Sequence, residues 1–176
     1  MMKNFKTLAV ILPAMSMCMP FSVMAANTQK EYVREASEFS KGILVSEDIV
    51  NYEDGTSSVE RVYIQNVPSS RATFGTDTFT KTKDWHTGLS GNGALIISLS
   101  VTGTFDWDST TKKVKVYDVS GEVVDVNGGD ISDEKTSTSG NNTSKATGTF
   151  SCKRTIWSGS TTYKVSISCN YKGTNS

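Results

Sequence analysis

Hydrophobic and polar residues alternate almost without interruption from Leu95 to Trp107. Leucine, isoleucine, valine, glycine, phenylalanine and tryptophan occupy the odd positions, and serine or threonine occupies most of the even ones. Because a strand directs successive side chains to opposite faces, this pattern predicts a half-buried strand. We expect its apolar face to pack on a core and its hydroxylated face to lie in water.

Two pairs of segments predict β-hairpins. The segments Ile43 to Tyr52 and Ser58 to Val67 are rich in valine, isoleucine and tyrosine, and they flank the turn signal Asp54-Gly55. Near the carboxyl end, Ala146 to Ile156 and Thr162 to Tyr171 flank Trp157, Ser158, Gly159 and Ser160. We expect an antiparallel pair at each place.

The segments between these hairpins have less regular patterns. The threonine-rich run from Arg71 to Lys83 favours an exposed or edge strand, and Asp84 to Asn92 is typical of a loop. From Asn127 to Lys145 the residues are mostly Gly, Asp, Ser, Thr and Asn, which indicates an exposed connection with room for a short edge strand.

The segment from Lys113 to Val126 changes phase partway along. Val114 and Val116 share one strand face, whereas Tyr117 and Val119 share the other. Such a phase change predicts either a bulge or a corner at which the strand changes sheet.

About seven strands, frequent turn signals and little helix predict an all-β fold. We expect an antiparallel β-sandwich of immunoglobulin-like type, and a small β-barrel is the alternative. The expected domain covers residues 43–176, which suits one hydrophobic core.

The amino terminus has the three parts of a secretory signal peptide. Lys3 and Lys6 form a basic start, an apolar run extends from Leu8 to Val23, and Ala25 provides a small residue at the exit. A membrane anchor is the weaker interpretation, because Pro13 and Pro20 interrupt a run shorter than the roughly 20 residues needed. We expect cleavage after Ala25, a short helix or leader over residues 26–42, and a secreted, extracellular protein.

The predicted export bears on the state of the cysteines, because exported proteins can form disulfides. Cys18 leaves with the predicted signal peptide, so Cys152 and Cys169 are the cysteines of the mature chain. An antiparallel register that placed them opposite one another would put both on the same face, within the distance that a disulfide accepts. We therefore expect a Cys152 to Cys169 disulfide, with two unpaired buried thiols as the alternative.

The charge balance argues against nucleic acid and membranes as partners. The whole chain has 18 basic and 18 acidic residues, and loss of Lys3 and Lys6 leaves a net charge of −2. A near-neutral surface does not attract nucleic acid or anionic membranes by its overall field. We expect neither nucleic-acid binding nor membrane insertion after signal cleavage.

Residues for catalysis or metal binding are sparse. His86 is the single histidine, and no nucleophile motif accompanies it, so we predict no catalytic residues, no cofactor and no enzyme activity. Acidic groups such as Asp106 and Asp108 are typical of turns. That pair also resembles the start of a calcium loop, although the glycine and the closing glutamate of such a loop are missing.

Tryptophans near connections are the stronger candidates for binding. Trp85 with His86, and Trp157, lie where we predict a loop and a turn, whereas the strand parity of Trp107 places it in the core. An indole at a turn is a flat apolar surface that can stack on a sugar ring or contact a protein. Packing against a neighbouring loop is nevertheless the favoured role for each, and ligand contact is the alternative.

Several of these motifs occur together. The Glu53 to Thr56 turn, the Thr80 to Trp85 run and the two Thr-Gly-Thr-Phe strands, together with the leader, resemble small secreted all-β proteins of unknown function from Gram-positive anaerobic bacteria. The resemblance covers roughly Ile43 to Tyr171. It implies an extracellular one-domain sandwich and supplies no activity.

Three functions are compatible with these observations. The first is a non-enzymatic binding or interaction module at the bacterial cell envelope or another extracellular surface, with a glycan or protein ligand. An antibacterial or toxin-like protein is the second, although the chain has no long amphipathic helix for membrane disruption. The third is a small extracellular hydrolase.

Overall fold

The computed structural model describes residues 42–65 and 72–176, which form eight strands and no helix. The predicted signal peptide, its cleavage site, Cys18 and nearly all of the predicted leader lie outside the described residues. The strands are β1 (Ile43–Asn51), β2 (Thr56–Ile64), β3 (Phe74–Thr87), β4 (Leu95–Asp108), β5 (Lys113–Val126), β6 (Asp130–Ser139), β7 (Lys145–Ile156) and β8 (Gly159–Asn170).

The strands form two antiparallel sheets in simple chain order. The five-stranded sheet has the order β1-β2-β3-β4-β5, and the three-stranded sheet has the order β6-β7-β8. Immunoglobulin-type sandwiches instead exchange strands between sheets through Greek-key connections. The all-β prediction is therefore confirmed, while the strand order differs from the immunoglobulin arrangement. Among the described residues, strand pairing does not close the sheets into the alternative barrel.

The three-stranded sheet packs on β3, β4 and β5 of the larger sheet, and the core lies between them. β4 supplies much of this core, as its alternation predicts. Its completely buried apolar side chains are Ile97, Leu99, Val101 and Phe105.

The opposite face of β4 is less exposed than we predicted. Ser98 and Ser100 are buried, and Ser98 donates a 2.5 Å hydrogen bond to Asp84 on β3. Thr102 and Thr104 form hydroxyl hydrogen bonds of 2.9 and 3.0 Å with threonines of the same neighbouring strand. Hydroxyl groups of β4 thus find hydrogen-bond partners on β3, an aspartate and two threonines, instead of all facing water.

β3 also differs from its prediction. It lies between β2 and β4 and continues to Thr87, so it is an interior strand, and the segment from Asp84 to Thr87 belongs to it instead of to a loop. Threonine at every second position suits this interior strand, because the hydroxyls of Thr78 and Thr80 form hydrogen bonds with threonine hydroxyls of β4.

The phase change in β5 is a bulge, one of the two predicted outcomes. Thr104 pairs with Asp118 and Phe105 pairs with Val116, so Tyr117 is the extra residue. A second bulge leaves Val124 without a partner on β4. Both extra residues are exposed, because a bulge locally changes the side-chain phase of an edge strand.

Two glycines allow the sheets to approach closely. A Cβ atom on Gly121 of β5 would lie 2.3 Å from the ring of Phe150 on β7. A Cβ atom on Gly148 of β7 would lie 2.8 Å from the side chain of Val119. The missing side chains therefore make room for a buried phenylalanine and a valine between the sheets.

The predicted Cys152 to Cys169 disulfide is not formed. Cys152 pairs with Tyr163, and Cys169 pairs with Ala146, so the cysteines are displaced by six residues along their strands. At about 3.3 Å per residue this displacement is roughly 20 Å, far beyond disulfide reach. The cause is the turn, which contains only Trp157 and Ser158 and so shifts the register. Both cysteines are buried free thiols, which was the alternative.

Candidate binding site at the β7–β8 hairpin

Trp157 is the most exposed large hydrophobic residue of the described chain. It is the first residue of the two-residue turn between β7 and β8, and 99% of its surface is accessible. A buried tryptophan contributes one of the largest apolar areas of any residue. An indole held entirely in solvent contributes nothing to the core and is free to contact a ligand.

A shallow groove of about 430 Å³ lies beside the indole and is called here the hairpin groove. Its lining combines an apolar surface with a carboxylate and a hydroxyl. The lining residues are Gly129, Asp130, Thr155, Ile156 and Trp157. Two separate segments, the β5–β6 connection and the β7–β8 hairpin, therefore build this groove.

Arg154 holds these two segments together. Its Nε donates a hydrogen bond to the Gly128 carbonyl at 2.9 Å, and a terminal guanidinium nitrogen donates to the Asn127 carbonyl at 2.7 Å. Hydrogen bonds from an ionised donor are among the stronger ones in proteins. The position of the β5–β6 turn relative to β7 is thus set before any ligand arrives.

Gly129 completes the contact between the segments. Its φ angle is +85°, and a Cβ atom there would lie 2.7 Å from the Thr155 carbonyl oxygen. Both the backbone conformation and the close approach require glycine. This wall of the groove is therefore backbone pressed against backbone.

Hydrogen bonds also locate the groove within the fold. The Asn127 N–H donates to the Ile96 carbonyl at 3.1 Å, so the β5–β6 turn and the hairpin lie at the end of the molecule where β4 begins. Phe74, by contrast, pairs with Asp108 where β4 finishes. The exposed Phe74 therefore lies at the end of the molecule opposite the hairpin groove.

Trp85 does not contribute to the hairpin groove. Its ring packs edge-on against Tyr163 with 5.1 Å between ring centroids, and the Lys83 ammonium lies 5.1 Å from its centroid. Trp85 is partly buried against the core, so the favoured role, packing, describes it.

His86 lies at the carboxyl end of β3 and is also absent from the groove lining. Its Nδ1 is 3.2 Å from the Gly93 carbonyl oxygen, a contact that joins β3 to the following loop. Of the three residues proposed from the sequence, Trp157 alone lines the groove.

The acidic turn residues have partners within the protein. Asp108 accepts hydrogen bonds from the backbone of Thr111 and Thr110, which lower the pKa of its carboxyl. Asp106 accepts from the Thr76 hydroxyl at 2.7 Å and lies 3.3 Å from the Lys115 ammonium. Within residues 42–65 and 72–176, no three His, Cys, Asp or Glu side chains are grouped as metal ligands would be.

The chain matches no family model, and no curated protein or solved structure is significantly similar to it. In the part of the chain that the structure describes, no helix is long and apolar enough to span a membrane.

Proposed function

We propose that this protein is a secreted, non-enzymatic binding module that recognises a glycan of the bacterial cell envelope or another extracellular surface through the hairpin groove. The observation that carries the proposal is the complete exposure of Trp157 beside a groove with polar groups. The basic, apolar and small-residue parts of the amino terminus support secretion.

The groove chemistry suits a sugar. A pyranose ring has a flat C–H face that can stack on an indole, and hydroxyls around its edge that need hydrogen-bond partners. Asp130 offers carboxylate oxygens that accept from hydroxyls, and the Thr155 hydroxyl can both donate and accept. Trp157 would supply the contact area, while the polar residues would select the orientation of the ring.

Preorganisation of the groove also supports binding. The turn contains only two residues, Thr155 and Ser160 share a 2.9 Å hydroxyl hydrogen bond across its base, and Arg154 ties the neighbouring turn in place. A ligand that docks on a fixed surface loses less free energy to ordering of the protein.

The proposal is tested by co-sedimentation of the purified mature protein with isolated bacterial cell walls. Saturable binding that soluble sugars compete is expected for the unchanged protein. Trp157→Ala should weaken it by at least about 30-fold, because central aromatic residues of binding sites contribute 2 kcal/mol or more. Phe74→Ala is the matched control, since Phe74 is 74% exposed at the opposite end, and it should bind as the unchanged protein does.

Two results would contradict the proposal. Equal binding by Trp157→Ala and Phe74→Ala would separate the ligand site from the hairpin. Trp157-dependent binding that removal of wall polysaccharide leaves intact would indicate a protein ligand instead of a glycan.

A further inference from the structure

The four edge strands of the two sheets are protected to different degrees. At β5, the Val114 N–H donates to the Thr143 carbonyl and the Asn142 N–H donates to the Val114 carbonyl, both at 2.8 Å. At β8, the Asn170 N–H donates to the Thr174 carbonyl at 3.0 Å, within the carboxyl-terminal turn. Backbone from another segment thus covers part of each of these edges.

The edge at β6 is protected by polarity and by a bulge. Most of its side chains are exposed and polar, and the pairing with β7 is interrupted between Ser132 and Lys135. Asp133, within the interruption, has a φ angle of +55°. Charges and bulges are common devices that prevent another strand from pairing with an edge.

β1 is the apolar edge, and its own bulge, at Val45, leaves the pairing from Ser46 to Asn51 regular. Five of its nine residues are large hydrophobic residues between 41 and 58% exposed, and they occupy both ends of the strand: Ile43, Leu44, Val45, Ile49 and Val50. Among residues 42–65 and 72–176, none pairs with the outer side of this strand. Unpaired edge groups beside apolar side chains form a template for a further strand.

The centre of β1 is acidic. Glu47 lies 2.5 Å from the Arg61 guanidinium of β2, which also pairs with Asp84 at 2.9 Å. Asp48 is exposed and forms no salt bridge with a described residue. Its partner across the strands is Glu60, which is already held by Lys81 and Lys83. A basic residue on the outer side of β1 would therefore meet a carboxylate that pairs with no cation among the described residues.

We infer that β1 binds, by antiparallel strand addition, an extended segment of another protein that carries apolar residues at both ends and a lysine or arginine at its centre. Backbone hydrogen bonds would continue the five-stranded sheet by one strand, and the side chains would give specificity. This inference concerns a separate surface and does not rest on the glycan proposal.

A second copy of this chain fits the edge less well. In a two-fold antiparallel pair of fully overlapping β1 strands, Glu47 would lie directly opposite its own copy. A shift of one residue in one direction would place Glu47 opposite Asp48, and a shift in the other direction would place Asp48 opposite the apolar Val45. Like charges directly opposite one another destabilise a strand pair. The acidic centre thus favours a basic partner over self-association.

Binding of a blocked nine-residue peptide tests the inference. The peptide has alternating valine and threonine except for lysine at its fourth position, which lies opposite Asp48 when all nine residues pair antiparallel with β1, and a second peptide has glutamate there. We expect measurable binding of the lysine peptide, about 3- to 10-fold tighter than that of the glutamate peptide, in line with the energies of cross-strand charge pairs. Asp48→Lys should reverse this preference, because it replaces the carboxylate opposite the peptide lysine with an ammonium.

Three controls make the result decisive. A lysine peptide N-methylated at alternate residues cannot form the backbone ladder and should not bind. Trp157→Ala should bind the lysine peptide normally, which separates this surface from the hairpin groove. Thermal unfolding of Asp48→Lys should match that of the unchanged protein, because the new lysine lies opposite Glu60.

Binding of the N-methylated peptide, or an unchanged preference in Asp48→Lys, would overturn the inference. No binding of the lysine peptide at millimolar concentration would also overturn it. A dimer in sedimentation equilibrium that Val45→Lys dissociates would show that a second copy occupies the edge instead.

Discussion

The indole N–H of Trp107 donates a 2.5 Å hydrogen bond to the carboxylate of Asp77, and both residues are buried. Burial raises the pKa of Asp77, and the hydrogen bond from Trp107 only partly offsets this increase. A Cβ atom on Gly173 would lie within 2.7 Å of both side chains, so the carboxyl-terminal turn lies directly against the pair. The core thus contains a carboxyl group whose pKa is higher than that of an exposed aspartate.

The contribution of Asp77 to the free energy of unfolding should decrease as pH rises. Its pKa is higher in the folded than in the unfolded state, so the folded state holds the proton more tightly. The contribution is therefore complete below the unfolded pKa, near 3.8, and is lost as pH rises through the folded value. Asp77→Asn removes this titration. In urea unfolding, the stability of Asp77→Asn relative to the unchanged protein should increase across that pH range, whereas a constant difference would contradict the account.

Asp77→Ala separates the hydrogen bond from the charge. Alanine leaves the Trp107 N–H without its acceptor, which should cost about 1–3 kcal/mol of unfolding free energy at pH below 3.8, and less as pH rises through the folded pKa of Asp77. Asparagine keeps an acceptor and should cost less at neutral pH. Equal losses in the two variants would show that the hydrogen bond contributes little.

Gly121→Ala should destabilise the sandwich. Its new methyl group would meet the buried ring of Phe150 and force the two sheets apart or the ring out of place. Overpacking of this kind costs about 1–3 kcal/mol, which is measurable as a lower urea midpoint. Ser120→Ala, on the exposed neighbouring residue, is the control and should stay within about 0.5 kcal/mol. A neutral Gly121→Ala would mean that the sheets are not in close contact there.

Cys152 and Cys169 should be thiols that react only after unfolding. Burial raises the pKa of both, that of Cys169 to about 12, so little of the reactive thiolate exists at pH 8. We expect no iodoacetamide labelling of the native protein, labelling of both cysteines in urea, and a Tm that reductant does not change. An unreduced mass 2 Da lower, together with a Tm that falls on reduction, would instead show a disulfide.

Side-chain parity predicted strand faces well but could not determine register. The inward residues of β4 and the bulge at Tyr117 are where the sequence pattern places them. For β7 and β8, the expected and observed registers differ by six residues. Because six is even, both registers put the same side chains on the same faces. The length of the turn decided between them, and Gly159 lies in β8 instead of the turn.

The candidate site was predictable only in part. A tryptophan in a predicted turn indicated Trp157, but the same logic also indicated Trp85, which packs against Tyr163 from the other sheet. Asp130 and Gly129 reach the hairpin groove from a different connection, through contacts made by Arg154. No local pattern reports such contacts, because they depend on how the two sheets pack.

Acrylamide quenching of tryptophan fluorescence, with and without soluble cell-wall oligosaccharides, tests the glycan proposal most directly. Trp107 is buried and Trp85 is partly buried, so quenching by acrylamide reports chiefly on Trp157. The account predicts that saturating oligosaccharide protects this accessible fraction, and that Trp157→Ala shows neither the protection nor the binding. Oligosaccharide that binds while Trp157 stays fully accessible would contradict the account.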